Sequence, residues 1–564
     1  PEKTWDYKGS VNAKRGLYMK TTKKSKSNFI MQGSILAAAG IISRIIGLAR
    51  RFPMEHIIGD KGNGYYGVAY EIYAMMLIIS CYSLPLAVSK VVSSKMSKRQ
   101  YKSAQRAFQC AMIFAVIAGG LTFFVCEVFG DFLASVMHEP MSAMALKVLG
   151  PALLIVSVMG VLRGYFQGLG TMVPTAVSQI LEQIFVLIGS IAGASVLFEY
   201  GGKVGQLLHN EDFAPAYGAA GASVGPVIGS AIGLIFLLLI FSAYRKGTKN
   251  QRIKSAGQKA DSYGQIFRLI LLTILPVLLS TTVYNISNVL DINIYNKVMV
   301  QKGLADIKAY NVGVYSGKYR VLVNVPIALA NAMCSSIVPV LTGLMQREEY
   351  GQAKDKINQA MRFTMLVAIP SAVGLTVLAR PIISLLFKGE VDMAVNMLHI
   401  GSVSVVFYTM STLTNGVLQG INKMKIPVRN AAIALVIHIA FLYLTLELDM
   451  GINALVYANI LFAVIVCVLN AFAIRKYLRY RQEYVKTFAV PAIAAAIMGV
   501  VIGVISMLLS KTVGNLVTVL LGIVIGVVVY FAALILLKGV NEYDLKKMPG
   551  GRIVLTVAKR FRLL

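Results

Sequence analysis

Long apolar stretches follow one another along almost the whole chain. Each spans about twenty residues, and Gly, Pro or charged residues separate it from the next. A helix of roughly 20 apolar residues crosses a bilayer and pairs every backbone polar group internally. Hydrophobic residues make up 57% and charged residues only 14% of the 564 residues, which leaves too little polar surface for a soluble globule. The sequence therefore predicts an all-α polytopic membrane protein with about fourteen transmembrane helices.

Basic residues collect in alternate connections between these stretches. The connection after the second predicted span is rich in them and contains no acid: Lys90, Lys95, Lys98, Arg99, Lys102 and Arg106. The positive-inside rule places such connections, and with them both termini, in the cytoplasm of a cell-membrane protein. The net charge of +30 then reflects topology and attraction to the lipid bilayer, and nucleic-acid binding is not predicted.

One short motif occurs twice. The chain reads "RGYFQGLGTMVP" at residues 163–174 and "NGVLQGINKMKIP" at residues 415–427. Gly and Pro punctuate any helix boundary, but two copies six predicted spans apart indicate an internal duplication. We therefore predict two parallel six-helix halves with two appended C-terminal helices, an arrangement typical of transporters. Gly168, Pro174, Gly420 and Pro427 would provide the bends of equivalent hinge turns.

These boundaries divide the chain into six predicted segments. They are a cytoplasmic N-terminal segment (1–28), an N-terminal half (29–245), a basic cytoplasmic linker (246–265), a C-terminal half (266–480), two appended helices (486–538) and a basic cytoplasmic tail (539–564). The chain opens with Pro1, and Met19 could be a natural start, so whether residues 1–18 belong to the natural protein is open.

Enzymatic chemistry is not predicted. No connection is long enough to fold as a separate domain, and the five cysteines lie within predicted spans without disulfide or metal-ligand spacing. A membrane-embedded glycosyltransferase or polymerase should show a large extracytoplasmic loop or paired acids at a pocket mouth, and neither pattern is present. We predict no metal and no cofactor.

Arginines within the predicted spans indicate an anion site. At 100° per residue, Arg44 and Arg51 share the glycine-rich face of the first span, whereas Arg50 lies off it. Arg320 and Asn324 share a polar stripe on the eighth span, and Lys318 points elsewhere. Because parallel halves bring these two spans to one cleft, we predict a cationic cavity containing Arg44 and Arg320, suited to phosphate.

Other basic side chains near the cleft have two interpretations. Arg50, Arg51 and Lys318 could bind the same ligand or extend toward the outer headgroups. Lys90 could meet the ligand on entry or serve only as a topology charge. Both alternatives are open from the residues alone.

Acidic residues within the spans suggest coupling to a cation. Asp291 is the single acid of the seventh predicted span and shares a polar face with Asn288. This face, like Glu71 in the second span, could pair with the cavity arginines or could bind H⁺ or Na⁺. His438 is interpreted as a hydrogen-bonded interior residue rather than a proton relay.

These motifs together resemble a known family. The stretch "SRIIGLARR", the turn "GYFQGLGTMVP" with its later partner, and the arginine of "YSGKYRVLVNVPIAL" are similar to the polysaccharide-transport branch of the multidrug/oligosaccharidyl-lipid/polysaccharide exporter superfamily. Within it, the chain resembles the stage V sporulation protein B group of Gram-positive bacteria, which is related to lipid II flippases. The resemblance extends over residues from about 28 to 540.

The resemblance implies an inner-membrane flippase for an undecaprenyl-pyrophosphate-linked glycan precursor such as lipid II. It places the cavity arginines at Arg44, Arg50 and Arg320. This disagrees with the helical wheel, which puts Arg51 rather than Arg50 on the face of Arg44. An acid is usual where this chain has Arg51. The two appended helices would form a groove for the lipid tail, and cell-wall synthesis machinery is an implied partner. The alternatives are a cation-coupled multidrug exporter of the same superfamily and a non-transporting sporulation or cell-envelope assembly protein.

Overall fold

The computed structural model describes residues 7–98, 100–247, 261–509, 514–540 and 542. The larger part of the predicted linker 246–265 and nearly all of the predicted tail 539–564 lie outside these residues. Within them the chain is helical and forms no strand, so the predicted all-α class is confirmed.

The N-terminal helices run from Tyr7 to Gly247. They are α1 (Tyr7–Ser80), α2 (Leu84–Ser97), α3 (Tyr101–Val128), α4 (Gly130–Val136), α5 (Ala143–Gly168), α6 (Val173–Leu208) and α7 (Phe213–Gly247), with a 3₁₀ turn at Pro140–Ser142.

The C-terminal helices begin at Tyr263. They are α8 (Tyr263–Gln301), α9 (Ala305–Val314), α10 (Arg320–Gln346), α11 (Tyr350–Val377), α12 (Ala379–Leu386), α13 (Asp392–Gly401), α14 (Ser404–Gly420), α15 (Lys425–Glu447), α16 (Asn453–Leu478), α17 (Val490–Leu509) and α18 (Asn515–Leu536). π-Helical turns occupy Tyr315–Tyr319 and Val485–Ala489.

Ten helical stretches of the described chain are long and apolar enough to cross a membrane, or eleven if the bent pair α13 and α14 forms one span. The chain is therefore a multi-pass membrane protein. The predicted count of fourteen exceeds this number for two reasons. The first two predicted spans count as one stretch, Ala38–Ser97, and the seventh and eighth are not among the ten, which were sought only among the described residues. The count of fourteen stays a prediction.

Two backbone irregularities shape the region where α1 approaches α9 and α10. Gly59, with φ 66° and ψ −177°, interrupts α1 in a conformation that residues with a Cβ seldom adopt. The π turn Tyr315–Tyr319 lies between α9 and α10 and ends at Arg320. π turns accommodate an extra residue per turn and occur often at functional sites.

The two copies of the repeated motif form equivalent turns. Gly168 ends α5 and Gly420 ends α14, and two residues later the chain has a positive φ in both, 83° at Gly170 and 60° at Asn422. Gly and Asn are the residues that tolerate this left-handed conformation best. Pro174 and Pro427 each lie in the first turn of the next helix, where proline removes no helical hydrogen bond.

The motif glycines also make equivalent contacts. A Cβ at Gly168 would lie 2.8 Å from Val92 Cβ on α2, and one at Gly420 would lie 2.9 Å from Leu341 Cβ on α10. Glycine therefore allows close helix packing at both places. These matching contacts are what a duplication would produce, and the arrangement as two halves stays a prediction.

Candidate functional site

A cavity of about 650 Å³ lies between α1 and α10. Its wall combines apolar side chains with three arginines and one acid. The polar and aromatic residues that line it are Arg44, Arg51, Tyr66, Tyr70, Glu71, Ser316, Arg320 and Asn324. Residues predicted from two distant parts of the sequence therefore share one cavity.

The cavity has an excess of positive charge. Arg44, Arg51 and Arg320 face Glu71 as the single acid of the lining, so the formal charge of the wall is two positive charges. Arg320 donates to Glu71 Oε1 at 2.6 Å, and Arg44 donates to the carbonyl oxygen of Ala328 at 2.7 Å. Such a wall suits an anion that offers several oxygen acceptors.

The adjacent arginines Arg50 and Arg51 have different environments. Arg51 lines the cavity, with its guanidinium 5.7 Å from the centroid of the Tyr66 ring. Arg50 is only 8% exposed, lies outside the lining, and donates to Tyr66 Oη at 3.2 Å and to Ser190 Oγ at 3.1 Å. In this conformation Arg51, the arginine that the helical wheel places on the face of Arg44, lines the cavity. The side chain of Arg50 instead joins α1 to α6.

Lys318 lies outside the cavity and connects the N-terminal to the C-terminal helices. Its side chain is fully buried and pairs with Asp60 Oδ1 at 2.8 Å and Glu55 Oε1 at 3.3 Å. It also donates to the carbonyl oxygens of Lys388 and Glu390 at 2.6 and 2.9 Å. We call these five residues the Lys318 cluster.

Backbone contacts strengthen the Lys318 cluster. Asp60 Oδ2 accepts from the Glu390 amide at 3.1 Å, and Glu55 Oε2 accepts from the Lys388 amide at 3.2 Å. Gly389, between them, has a φ of 71°, and a Cβ there would lie 2.5 Å from Asp60 Oδ2. The charges are thus enclosed by hydrogen bonds, as buried ions require.

Glycines allow the chain segments beside the Lys318 cluster to touch. A Cβ on Gly64 would lie 1.8 Å from the Ala309 carbonyl oxygen, and one on Gly313 would lie 1.7 Å from that of Asp60. No side chain fits at either position unless the backbones separate. This end of the bundle is therefore closed by backbone contact as well as by charge.

The C-terminal end of α2, where the basic connection begins, is joined to the start of α8. The Lys95 ammonium hydrogen-bonds to the Asp261 carboxylate and lowers the pKa of that group below its ordinary value. Lys90, one of the predicted ligand contacts, is exposed on α2 and does not line the cavity.

Asp291 pairs with His438 on α15 rather than with a cavity arginine. His438 Nε2 contacts Asp291 Oδ1, and His438 Nδ1 lies 2.8 Å from the Ala458 carbonyl oxygen. Asn459 Nδ2 donates to Asp291 Oδ2 at 3.0 Å and lies 3.2 Å from Tyr315 Oη. Asn288 is half-buried one turn earlier on α8. Among the described residues, no group of three or more His, Cys, Asp or Glu side chains could hold a metal ion.

Sequence reasoning missed several members of these sites. Tyr66, Tyr70 and Ser316 carry no charge, so nothing in the pattern separates them from ordinary span residues. Glu55 and Asp60 follow the arginine pair of α1 closely, and two acids so near a predicted membrane end could have indicated a partner such as Lys318.

Comparison with known proteins establishes the family. Residues 30–345, more than half of the chain, match the family described as polysaccharide biosynthesis protein. The chain belongs to this family. Residues 310–444 also match MatE, so the resemblance to the exporter superfamily is confirmed.

Two relatives come from Bacillus subtilis (strain 168). Lipid II flippase MurJ is 27% identical over 427 residues, which cover 73% of this chain and 76% of that protein. Stage V sporulation protein B is 26% identical over 480 residues, which cover 83% and 88%. A solved structure of lipid II flippase MurJ in an inward closed conformation shares the fold, with a TM-score of 0.64, 17% identity and coverage of 88% of this chain and 97% of that one. These similarities support a transporter of the superfamily.

Proposed function

We propose that this protein is a flippase that moves an undecaprenyl-pyrophosphate-linked glycan, such as lipid II, to the outer leaflet of the cell membrane. The observation that carries the proposal is the cavity between α1 and α10, where three arginines face one glutamate. A pyrophosphate offers the several anionic oxygens that such a wall can bind. The relatives named for lipid II transport favour the same substrate class.

The transport cycle follows from the cavity and the Lys318 cluster. We infer that the Lys318 cluster lies at the outer end and closes the outward side, because the predicted fourteen spans, two parallel halves and cytoplasmic basic connections would put it there. The headgroup would enter from the cytoplasmic side and bind Arg44, Arg51 and Arg320, while the polyprenyl tail stays in lipid beside α17 and α18. Separation of the Lys318 cluster then opens the outer path.

The membrane potential favours this direction. An inside-negative potential drives negative charge outward, which yields about 2.3 kcal/mol per charge per 100 mV. The empty cavity carries positive charge, so the same potential favours its return inward.

The carboxylate of Glu71 competes with the ligand for Arg320. It holds Arg320 in the absence of ligand, so a phosphate must replace it. Cationic drugs would have to bind against the excess positive charge, which disfavours the multidrug exporter as an alternative. A non-transporting assembly protein is the other alternative, and a transport measurement discriminates it from a flippase.

Binding measurements on the purified protein test the substrate class. We expect Arg44→Gln and Arg51→Gln each to weaken lipid II binding about 10- to 100-fold, because each removes a charge-assisted contact of about 1.5–3 kcal/mol. Glu71→Gln should instead tighten binding severalfold, because it frees Arg320. Arg380→Gln, at a surface ion pair with Asp392, is the matched control and should bind as the unchanged protein does. Equal affinity in all four variants would contradict the proposal.

A further inference from the structure

Two neutral polar side chains of the cavity wall have no hydrogen-bond partner among the described residues. They are Tyr70, which is half-buried on α1, and Asn324, which is exposed on α10. The hydroxyl of Ser316 in the same wall, by contrast, donates to the Val312 carbonyl oxygen at 2.7 Å. Polar groups inside a folded protein normally have partners, so a phenol hydroxyl and a carboxamide without one in a ligand cavity indicate contacts to the ligand.

Tyr70 is held in place by two tyrosines on the same face of α1. Tyr66 and Tyr73 lie one helical turn before and after it, and their ring centroids are 5.7 and 5.8 Å from that of Tyr70. Both neighbours are buried, at 1% and 5% exposure, and the Tyr66 hydroxyl accepts from Arg50. Tyr70 is therefore the accessible member of a fixed aromatic row. A side chain that is fixed before the ligand arrives loses little conformational entropy on binding.

The hydrogen-bonding chemistry of these two groups differs from that of the arginines. A guanidinium can only donate, which suits phosphate oxygens because they accept. A phenol hydroxyl and a carboxamide can both donate and accept. A sugar hydroxyl also does both, so its O–H needs an acceptor that no arginine provides. Tyr70 and Asn324 therefore match the neutral, hydroxyl-rich part of a glycolipid headgroup rather than its phosphates.

Both groups lie next to an arginine of the cavity. Asn324 follows Arg320 by four residues on α10, which places the two side chains one turn apart on the same face. Tyr70 directly precedes Glu71, whose carboxylate is 2.6 Å from the Arg320 guanidinium. In a lipid-linked glycan the first sugar is bonded directly to the pyrophosphate. A pyrophosphate held by Arg320 therefore brings that sugar to the part of the wall formed by Tyr70 and Asn324.

We propose that Tyr70 and Asn324 form a sugar subsite, which binds the first sugar of the glycan and distinguishes a glycosylated pyrophosphate lipid from the bare carrier lipid. The inference rests on the proposed function. A cavity of about 650 Å³ has the size that encloses a drug-sized ligand, which suits a pyrophosphate with one sugar. Sugars further along the glycan then lie beyond the subsite. A carrier lipid without sugar makes only the arginine contacts.

Binding of two synthetic lipids to the purified protein tests the subsite. One lipid is undecaprenyl pyrophosphate, and the other carries a single N-acetylhexosamine on the same pyrophosphate. We expect Tyr70→Phe and Asn324→Leu each to weaken binding of the glycosylated lipid about 3- to 10-fold, the usual effect of losing one neutral hydrogen bond. The double variant should lose about 10- to 100-fold if the two contacts are independent. The affinity of all three variants for the bare lipid should stay unchanged.

Two further variants serve as controls for this experiment. Tyr73→Phe removes a hydroxyl from the same face of α1 at a buried residue outside the cavity lining, so it should bind both lipids as the unchanged protein does. Arg44→Gln should weaken binding of both lipids by a similar factor, because both carry the pyrophosphate. Binding of the bare lipid also reports that the variants of the subsite are folded.

Two results would overturn the sugar subsite. The first is an affinity of the double variant for the glycosylated lipid equal to that of the unchanged protein. The second is an equal loss for both lipids, which would mean that Tyr70 and Asn324 support the phosphate site or the fold. Either result together with a strong effect of Arg44→Gln would leave the proposed function standing. A loss specific to the glycosylated lipid without any effect of Arg44→Gln would instead refute the arginine site and keep the sugar subsite.

Discussion

Replacing Lys318 by methionine should destabilise the closed state of the protein by about 3–5 kcal/mol, the usual cost of leaving buried charges without their partner. Methionine keeps most of the side-chain volume but leaves Glu55 and Asp60 facing each other in a buried pocket. We therefore expect a lower midpoint of denaturant unfolding. We also expect a large shift toward long distances between spin labels on cysteines placed at two exposed positions, Leu207 on α6 and Leu448 after α15.

A matched substitution controls for the loss of a lysine. Lys61→Met breaks a half-exposed pair with Asp212 near the same end of the bundle and should cost at most about 1 kcal/mol. Restoring neutrality in the triple variant Glu55→Gln, Asp60→Asn and Lys318→Met should recover part of the loss. If Lys318→Met were as stable and as closed as the unchanged protein, the Lys318 cluster would not be what holds this end together.

Replacing Arg320 by alanine should reduce lipid transport at least about a hundredfold. The substitution removes the cavity arginine that Glu71 holds, and leaves that carboxylate in the cavity without its partner. The wall then has one positive charge in excess and one unpaired acid, which repels a pyrophosphate. Transport measured in proteoliposomes should fall while the protein remains folded.

The variants of Glu71 separate lost binding from lost folding. Adding Glu71→Gln to Arg320→Ala should recover stability, because no acid is then left unpaired, but should not recover transport. Arg380→Ala should transport at the original rate. Full transport by Arg320→Ala would mean that the headgroup does not use this cavity.

The membrane fold could be predicted from the sequence because its determinants are local. Apolar length and the distribution of Lys and Arg depend on neighbouring residues only, and the repeated turn carries its own signals in Gly168, Gly420 and the prolines that follow. The positive φ at Gly170 and Asn422 shows that the two copies bend the chain alike. Periodicity also placed Arg44 and Arg51 on one face of the first span and brought Arg44 and Arg320 to one predicted cleft.

The pairing of charges could not be predicted, because it depends on distances between remote segments. Lys318 and Asp60 are separated by 258 positions, and the π turn changes the helical phase just where the stripe of α10 begins. Asp291 was expected to face arginines or a cation, whereas the fold places His438 against it from α15. A helical wheel assigns each residue to a face of its own helix. It does not show which residue of another helix lies opposite that face.

The most direct test of the account is the exposure of lipid II on the outer leaflet of cells depleted of their own flippase. We predict that this protein restores exposure, and that the variant carrying both Arg44→Ala and Arg320→Ala does not, although it reaches the membrane in the same amount. Equal restoration by the double variant would contradict the cationic cavity as the substrate site. Absence of restoration by the intact protein would contradict lipid II as its substrate.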